Sequence, residues 1–385
     1  MDSTITTTNI YINKEIGVMK FICDRSILSR EIGIAQEIIS SKNAISILSN
    51  VYLEASNNTL LVKATDIKVN FETRLPVTVV EEGSTTVFCD KFIGILNSIP
   101  DGEIEFEQTE NKIVIKPSFK KIKFQLKSIA ADKFPEFPSP GNAQSFDIPV
   151  KDLKAMIMQT VFAVSDDETR YYMNGVFFEK QDNDLVMVAT DGRRLAYIKK
   201  PIASPVPDFA GVIIPPKILN LVMKRAGDEG MATIRVTEKN IFITFGAYQL
   251  SSVLIEGQFP NYKRVIPESQ SHSFTINRQE ILDALKRVSI LVEQKSRRVY
   301  LVVNPGMLSV VSEESEIGAA KEDIPCQYAG DEVSIALNYR YIEEPFKVMT
   351  EESVSIYFTE ANRAITIKPI PEKDFFHIVM PMQLE

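Results

Sequence analysis

The chain has 385 residues, of which 44% are hydrophobic and 24% charged, and it carries a net charge of −8. That length exceeds one ordinary core and predicts two to three domains. No apolar run approaches the ~20 residues of a membrane span, and the acidic total argues against a surface that grips nucleic acid uniformly. Three scattered cysteines, Cys23, Cys89 and Cys326, and two histidines, His272 and His377, show no metal or redox spacing. They argue against a disulfide framework, a zinc site or any other cofactor, and they fit reduced thiols in a cytoplasmic protein.

Residues 1–18 are rich in Thr and Asn and lack both the basic start and the apolar stretch of a signal peptide. They read as a loose extension, or as a start placed ahead of Met19. The chain then states one pattern three times. "FICDRSIL" from Phe21, "FDIPVKDL" from Phe146 and "FTINRQEIL" from Phe274 each run a short strand into a helical pattern. Leu28, Ile32, Ala35 and Ile39 share one helical face in the first copy, and Ile281, Leu285 and Val288 do so in the third. Each copy later carries two alternating runs about a polar turn, at Thr109–Asn111, Thr237–Asn240 and Thr359–Asn362, which predicts a hairpin. The repeat divides the chain into 19–143, 144–269 and 270–385, three α+β domains of ordinary size.

Helices are expected at 25–42, 90–99, 151–163, 215–227, 278–298 and 338–349. Their net charges are +1, 0, +1, +3, +3 and 0, so the helices total +8 and the remainder −16. Basic helices are commonly just solvated faces. The alternative is that the helices face a polyanion. A ring of repeats with helices inside would pass duplex DNA, touching phosphates without reading bases.

The stretches "RYYMNGVFFE" (170–179), "VATDGRRLA" (188–196), "GQFPNYKRVIP" (257–267) and the terminal "VMPMQL" (379–384) resemble, in order, the signatures of the bacterial sliding clamps, the beta subunits of DNA polymerase III. The resemblance runs from Met19 to Leu384. It implies the DNA clamp fold: three tandem repeated clamp domains per subunit, joined head to tail as a homodimeric ring, with helices lining the hole and antiparallel sheets outside. It also implies no catalytic activity. The implied partners are duplex DNA and, through short linear motifs, the polymerase III alpha subunit, the clamp loader, and other polymerases and repair proteins.

By the same resemblance a peptide-binding groove uses Met173, Gly175, Thr190, Gly192, Arg193, Arg194 and Leu195, then Pro260, Arg264, Val265, Asn338, Tyr341, Asn362 and Ala364. The terminal run adds Ile378, Val379, Met380, Pro381, Met382 and Leu384. Flexible Met side chains suit such a surface, and Arg194 and Arg264 are expected to offer charge-assisted bonds at its rim. DNA contact falls to Lys42, Arg170, Tyr171 and Tyr172. The basic-helix pattern adds Lys224, Arg225, Arg297 and Arg298. Tyr171 and Tyr172 also read as plain strand residues, one buried and one exposed. The dimer contact is expected to join Ile290 and Leu291 to an edge strand near Phe124 and Leu126.

The sequence departs from the family pattern at several places, among them Lys42, where Arg is usual but the charge is kept. Arg193 stands where His is usual, Gln383 where Arg is usual, and Asp90 where a basic residue is usual. Glu385 is an addition. Pro345 inside the last predicted helix is expected to kink it or delay its start. Two other readings compete. As an enzyme, the chain would use Asp191 as an acid with Arg193 and Arg194 clamping phosphate. However, no phosphate loop or nucleophile elbow accompanies them, and Asp66 recurs at the matching place, which favours a structural Asp turn. A peptide-binding scaffold without DNA would share the groove but not the charge pattern.

Overall fold

The computed structural model describes residues 19–39, 46–202 and 205–383. Lys42, Leu384 and the 1–18 extension lie outside the described residues. The contacts divide the chain into two compact units. One takes the chain up to Ser139 with Ala247–Ser251, and the other takes Pro140–Gly246 and Ser252 onward.

In the first unit the order is β1 (Lys20–Asp24), α1 (Arg25–Ile38), β2 (Asn50–Ser56), β3 (Thr59–Thr65), β4 (Val69–Pro76), β5 (Thr78–Glu81), β6 (Gly83–Phe88), α2 (Cys89–Ser98), β7 (Glu103–Thr109), β8 (Lys112–Pro117) and β9 (Phe124–Ile129). The strands pair in the order β4-β3-β2-β6-β9-β8-β7-β1-β5. Asp24 caps α1 by accepting from the backbone N–H groups of Ser26 and Ile27. Leu28, Ile32, Ala35 and Ile38 are fully buried, while Ile39, expected on that face, closes the helix half-exposed. Burial of these side chains and of the stacked Phe21–Phe106 pair, 4.8 Å between centroids, supplies the apolar stabilisation of this unit.

The second unit repeats the plan twice. It opens with β10 (Ser145–Pro149), α3 (Val150–Met158), β11 (Val176–Gln181), β12 (Asp184–Thr190), β13 (Arg194–Pro201), β14 (Val212–Ile214), α4 (Pro216–Arg225), β15 (Met231–Val236) and β16 (Asn240–Phe245), after which most of β17 (Tyr248–Val253) falls in the Ala247–Ser251 stretch of the first unit. The last copy is β18 (His272–Asn277), α5 (Arg278–Val288), β19 (Arg298–Asn304), β20 (Met307–Ser312), β21 (Lys321–Pro325), β22 (Val333–Asn338), α6 (Tyr339–Val348), β23 (Ser353–Phe358), β24 (Ile365–Ile370) and β25 (Phe375–Val379). The three predicted openings are β1-α1, β10-α3 and β18-α5, and the three predicted hairpins are β7-β8, β15-β16 and β23-β24. The printed pairings among the described residues, such as β1–β7, β12–β13 and β23–β24, are antiparallel, so the class is α+β.

Three expectations are corrected. The helix expected at 278–298 ends at Val288 and gives way to a short turn at Ser289–Leu291, so Lys295, Arg297 and Arg298 are not helical. Arg297 has a left-handed φ of 53° and Arg298 begins β19. Cut to their observed lengths, the helices carry +5, and the rest of the chain carries −13. Pro345 neither breaks α6 nor delays it. The helix runs Tyr339–Val348, and the carbonyl of Pro345 still accepts from the Met349 N–H. Finally, β9 lies inside its sheet, between β8 and β6. The partner strand β6 reaches only Ser128 and Ile129, however, so the half with Phe124 and Leu126 has β8 on one side alone.

Candidate functional site

Within the second unit the terminal strand joins two repeats into one sheet. The order is β14-β11-β12-β13-β25-β24-β23-β18, and at the seam Arg194 pairs with Val379, Leu195 with Ile378 and Ala196 with His377. The chain beyond β25 is pinned by its backbone. Met380 N–H donates to the Arg193 carbonyl at 2.9 Å, and Met382 N–H donates to the Ala336 carbonyl at 2.8 Å.

A cavity of about 230 Å³ opens at this seam. Its walls are Met173, Thr190, Gly192, Arg193, Arg194, Leu195, Pro260, Val265, Ile378 and Met380, all named from the sequence, together with Asn261 and Tyr262, which were not. Behind it Val186, Val188, Ile213, Phe259 and Tyr262 form a buried cluster. Tyr262 is fixed there because its hydroxyl donates to Glu179 at 2.6 Å and accepts from Gln181. Burial, and then that carboxylate, push the phenol well above its ordinary range. The alternation of this strand–turn segment gave no signal for Tyr262, because its partners Glu179 and Gln181 lie some eighty positions away.

A second hollow of about 550 Å³ shares Arg193 and Met380 with the first. Asn338, Tyr341, Pro381 and Met382 line it, as do Arg297 and the unforeseen Lys295, Ser296 and Gln383. The remaining groove residues among those described line neither space. Gly175 lets β11 approach its neighbours, since a Cβ there would sit 2.7 Å from the Ile214 carbonyl. Arg264 is exposed on the short 3-10 turn Tyr262–Val265. Asn362 lies in the turn before β24, Ala364 packs on the buried cluster, and Val379 is buried in β25. A larger hollow of about 630 Å³ lies elsewhere in this unit. Asp208, Glu238 and Glu256 stand on its walls, with none of the residues expected in the peptide groove, at DNA or at the dimer contact.

The Thr-Asp turns are built as the structural reading expected. Asp191 accepts from the backbone N–H of Arg193 at 2.9 Å and of Arg194 at 3.1 Å, and the Thr190 hydroxyl donates to the Arg194 carbonyl. In the first repeat Asp66 accepts from Lys68 and Val69, and Thr65 donates to the Val69 carbonyl. Gly192 and Ile67 occupy the same left-handed position, with φ of 88° and 79°.

Arg194 is not a rim donor. Its Nε binds Asp191 at 3.1 Å, its Nη1 pairs with Glu344, and its Nη2 donates to the Phe162 carbonyl at 2.7 Å. The guanidinium lies over the Tyr341 ring, 4.7 Å from its centroid. Its side chain is only 10% exposed, so it braces the groove wall. Arg193 is exposed and bonds the Tyr341 hydroxyl. Beneath the seam, His377 is fully buried, with Nε2 3.1 Å from the Gln159 Oε1. Burial and the charge of Arg194 hold its pKa down at about 3, so the ring is neutral.

The described residues expected at DNA stand on several elements. Tyr171 and Tyr172 sit in the 3-10 segment Glu168–Met173, not in a strand, with their rings edge to face at 5.8 Å. Arg170 is held by Asp167 at 2.9 Å. Lys224 is exposed at the end of α4 beside half-buried Arg225, and Arg298 reaches Glu313 at 3.4 Å.

Family models for the N-terminal, central and C-terminal domains of the DNA polymerase III beta subunit match residues 19–138, 147–261 and 263–383. The chain belongs to that family. It is a beta sliding clamp, a non-catalytic processivity factor of DNA replication. A curated beta sliding clamp from Treponema pallidum is 48% identical over 371 residues, covering 95% of this chain and all of that one. A Pseudomonas aeruginosa sliding clamp crystallised with griselimycin superposes with a TM-score of 0.91 at 28% identity, over 96% of this chain and all of that one. The Bacillus subtilis clamp gives 0.90 at 27% identity, over 95% and 100%. No helix among the described residues of the clamp is long and apolar enough to cross a membrane.

Proposed function

We propose that this clamp acts in the cytoplasm as a head-to-tail homodimeric ring around duplex DNA, each subunit contributing domains 19–143, 144–269 and 270–385. It holds DNA without base recognition and presents its seam groove to short linear peptides of the polymerase III alpha subunit, the clamp loader, and other polymerases and repair proteins. The observation that carries this reading is the groove itself. The chain closes β25 against β13 and leaves an apolar recess of about 230 Å³ with Arg193 on its wall. Such a recess accepts an aliphatic or aromatic anchor from an extended segment. Lys42, Arg170, Tyr171, Tyr172, Lys224, Arg225, Arg297 and Arg298 are the candidates for the DNA path.

Retention tests the ring. Loaded clamp should stay on nicked circular DNA and run off the same DNA once linearised. Equal retention on both would leave a peptide-binding scaffold without encirclement. A labelled peptide carrying an apolar anchor, titrated against the whole protein, tests the groove. Loss of binding on Val265→Asp is the expected result.

A further inference from the structure

The first unit holds a strongly basic stretch in an acidic chain. From Asn111 to Ala131 the sequence has six lysines, Lys112, Lys116, Lys120, Lys121, Lys123 and Lys127, and no acid, although the whole chain carries −8. The fold gathers them. β8 and β9 pair so that Lys112 stands directly opposite Lys127, Val114 opposite Gln125 and Ile115 opposite Phe124. Alternation then puts Lys112, Val114 and Lys116 on one sheet face with Lys123, Gln125 and Lys127. The other face is the core side, where Ile113 and Ile115 are fully buried and Phe92 of α2 meets Phe106 of β7 with 5.9 Å between ring centroids. Lys112, Lys123 and Lys127 are exposed, as are Lys120 and Lys121 in the connection. Among the described residues, Lys116 alone of the six is ion-paired, to Glu105 and Glu107 at 3.2 Å each. Like charges directly opposite on one face destabilise a sheet, so the Lys112–Lys127 pair costs the free protein stability.

We infer that this two-strand lysine band binds an extended acidic segment of a partner protein, with Asp or Glu at alternate positions. The width of the band decides the ligand. On one side lies β7, whose Glu105 stands opposite Lys116 and Glu107 opposite Val114. On the other side β9 meets β6 only at Ser128 and Ile129. The lysines therefore cover two strands about 4.8 Å apart. One extended chain matches that width. Its alternate side chains, ~7 Å apart on one side, match the lysines at 112 and 116, which are about 13 Å apart along β8. A duplex, whose major groove alone is about 12 Å across, would overhang the band and set phosphates against Glu105 and Glu107. A single nucleic-acid strand relies on aromatic stacking, and this face offers only Val114 and Gln125 between the lysines. Phe119, in the connection, lies over Gly102, where a Cβ would come 2.5 Å from its ring. The band and the expected dimer contact use different faces of β9, because Phe124 and Leu126 stand opposite Ile115 and Ile113 on the core side.

Fluorescence anisotropy at low salt, with the whole protein, tests this. A labelled peptide of alternating Glu and Thr should bind about fivefold more tightly than its Gln counterpart, and the ratio should fall toward one as salt rises. Lys112→Gln/Lys127→Gln should weaken binding of the Glu peptide by about threefold or more. Lys151→Gln/Lys239→Gln, which removes the same charge from exposed positions of the second unit, should leave it within about 1.5-fold. Lys123→Gln, outside both strands, repeats the test without touching a paired position. Equal affinity for the two peptides, or equal losses in the two double variants, overturns the inference. Sedimentation covers a second copy of the chain as the occupant: if Lys112→Gln/Lys127→Gln changes the association state, the lysines belong to the subunit contact and the inference is overturned. A ten-nucleotide single strand and a short duplex serve as competitors. Should either displace the Glu peptide at lower concentration than unlabelled Glu peptide does, the band is a phosphate surface and the inference falls.

Discussion

At the scale of single residues, neighbours in sequence have opposite jobs. Arg193 and Arg194 look interchangeable in "TDGRR", yet one is exposed and the other is packed between Phe162 and Tyr341 with two carboxylates. Arg194→Met should therefore cost about 3 kcal/mol in urea denaturation, because Asp191 is left partly buried and unpaired. Arg193→Gln should stay within about 0.5 kcal/mol. Equal losses would mean that the guanidinium contacts contribute little. His377 gives a pH signature. Its pKa of about 3 lies below the ordinary 6.5, so the unfolded chain takes up the proton first as pH falls. The stability it contributes is complete above pH 6.5 and drains away at about 1.4 kcal/mol per unit toward pH 3. Between pH 7 and pH 5 wild type should lose about 2 kcal/mol more than His377→Gln, and parallel stability curves would refute the buried neutral ring.

At the scale of elements, the terminal run combines two roles. Phe375–Val379 is a central strand of the shared sheet, whereas Met380, Pro381, Met382 and Gln383 beyond it belong to no strand and line the hollows. Removing Met382–Glu385 leaves β25 whole and breaks the backbone bond from Met382 to Ala336, worth about 1 kcal/mol. Melting should shift little. Binding of an anchor peptide should weaken at least about tenfold, since pocket residues commonly carry ~2 kcal/mol each. Unchanged affinity would make the tail purely structural. The helices show the limit of periodicity. Ile281, Leu285 and Val288 mark the buried face of α5, but the basic residues beyond Val288 carried the helical reading too far, and the chain turns at Ser289 instead.

At the scale of the whole molecule, association should depend on residues that the single chain leaves uncovered. Ile290 is 76% exposed, and Ile317, which the sequence did not flag, is 87% exposed in the Ser315–Gly318 turn near Leu291. Large apolar side chains held in water, as Ile290 and Ile317 are, mark a contact surface, and half of β9 offers unpaired backbone. Changing Ile290 and Leu291 to Ala should give monomers at micromolar protein in sedimentation, each residue removing about 2–5 kcal/mol if buried in the dimer. A persistent dimer places the contact elsewhere. Charge reversal at Lys224 and Arg225 should reduce retention on closed DNA, with a deficit that shrinks as salt rises and ignores base sequence.

The sequence by itself determined the threefold plan, because local alternation, capping residues and turn chemistry are all encoded within a few positions. Asp24 and Asn277 cap helices, and Asp66 and Asp191 close the same turn twice. Most of the cavity wall was legible too, through motifs whose residues are near one another in the chain. Only the tertiary structure decided what distant segments do when brought together. Pairing β13 with β25, some 180 residues apart, makes the seam. It turns Arg194 from a donor into a brace. It also brings Arg193 and Met380 to one hollow with Lys295 and Arg297, because burial and electrostatic pairing depend on neighbours in space that no local pattern records.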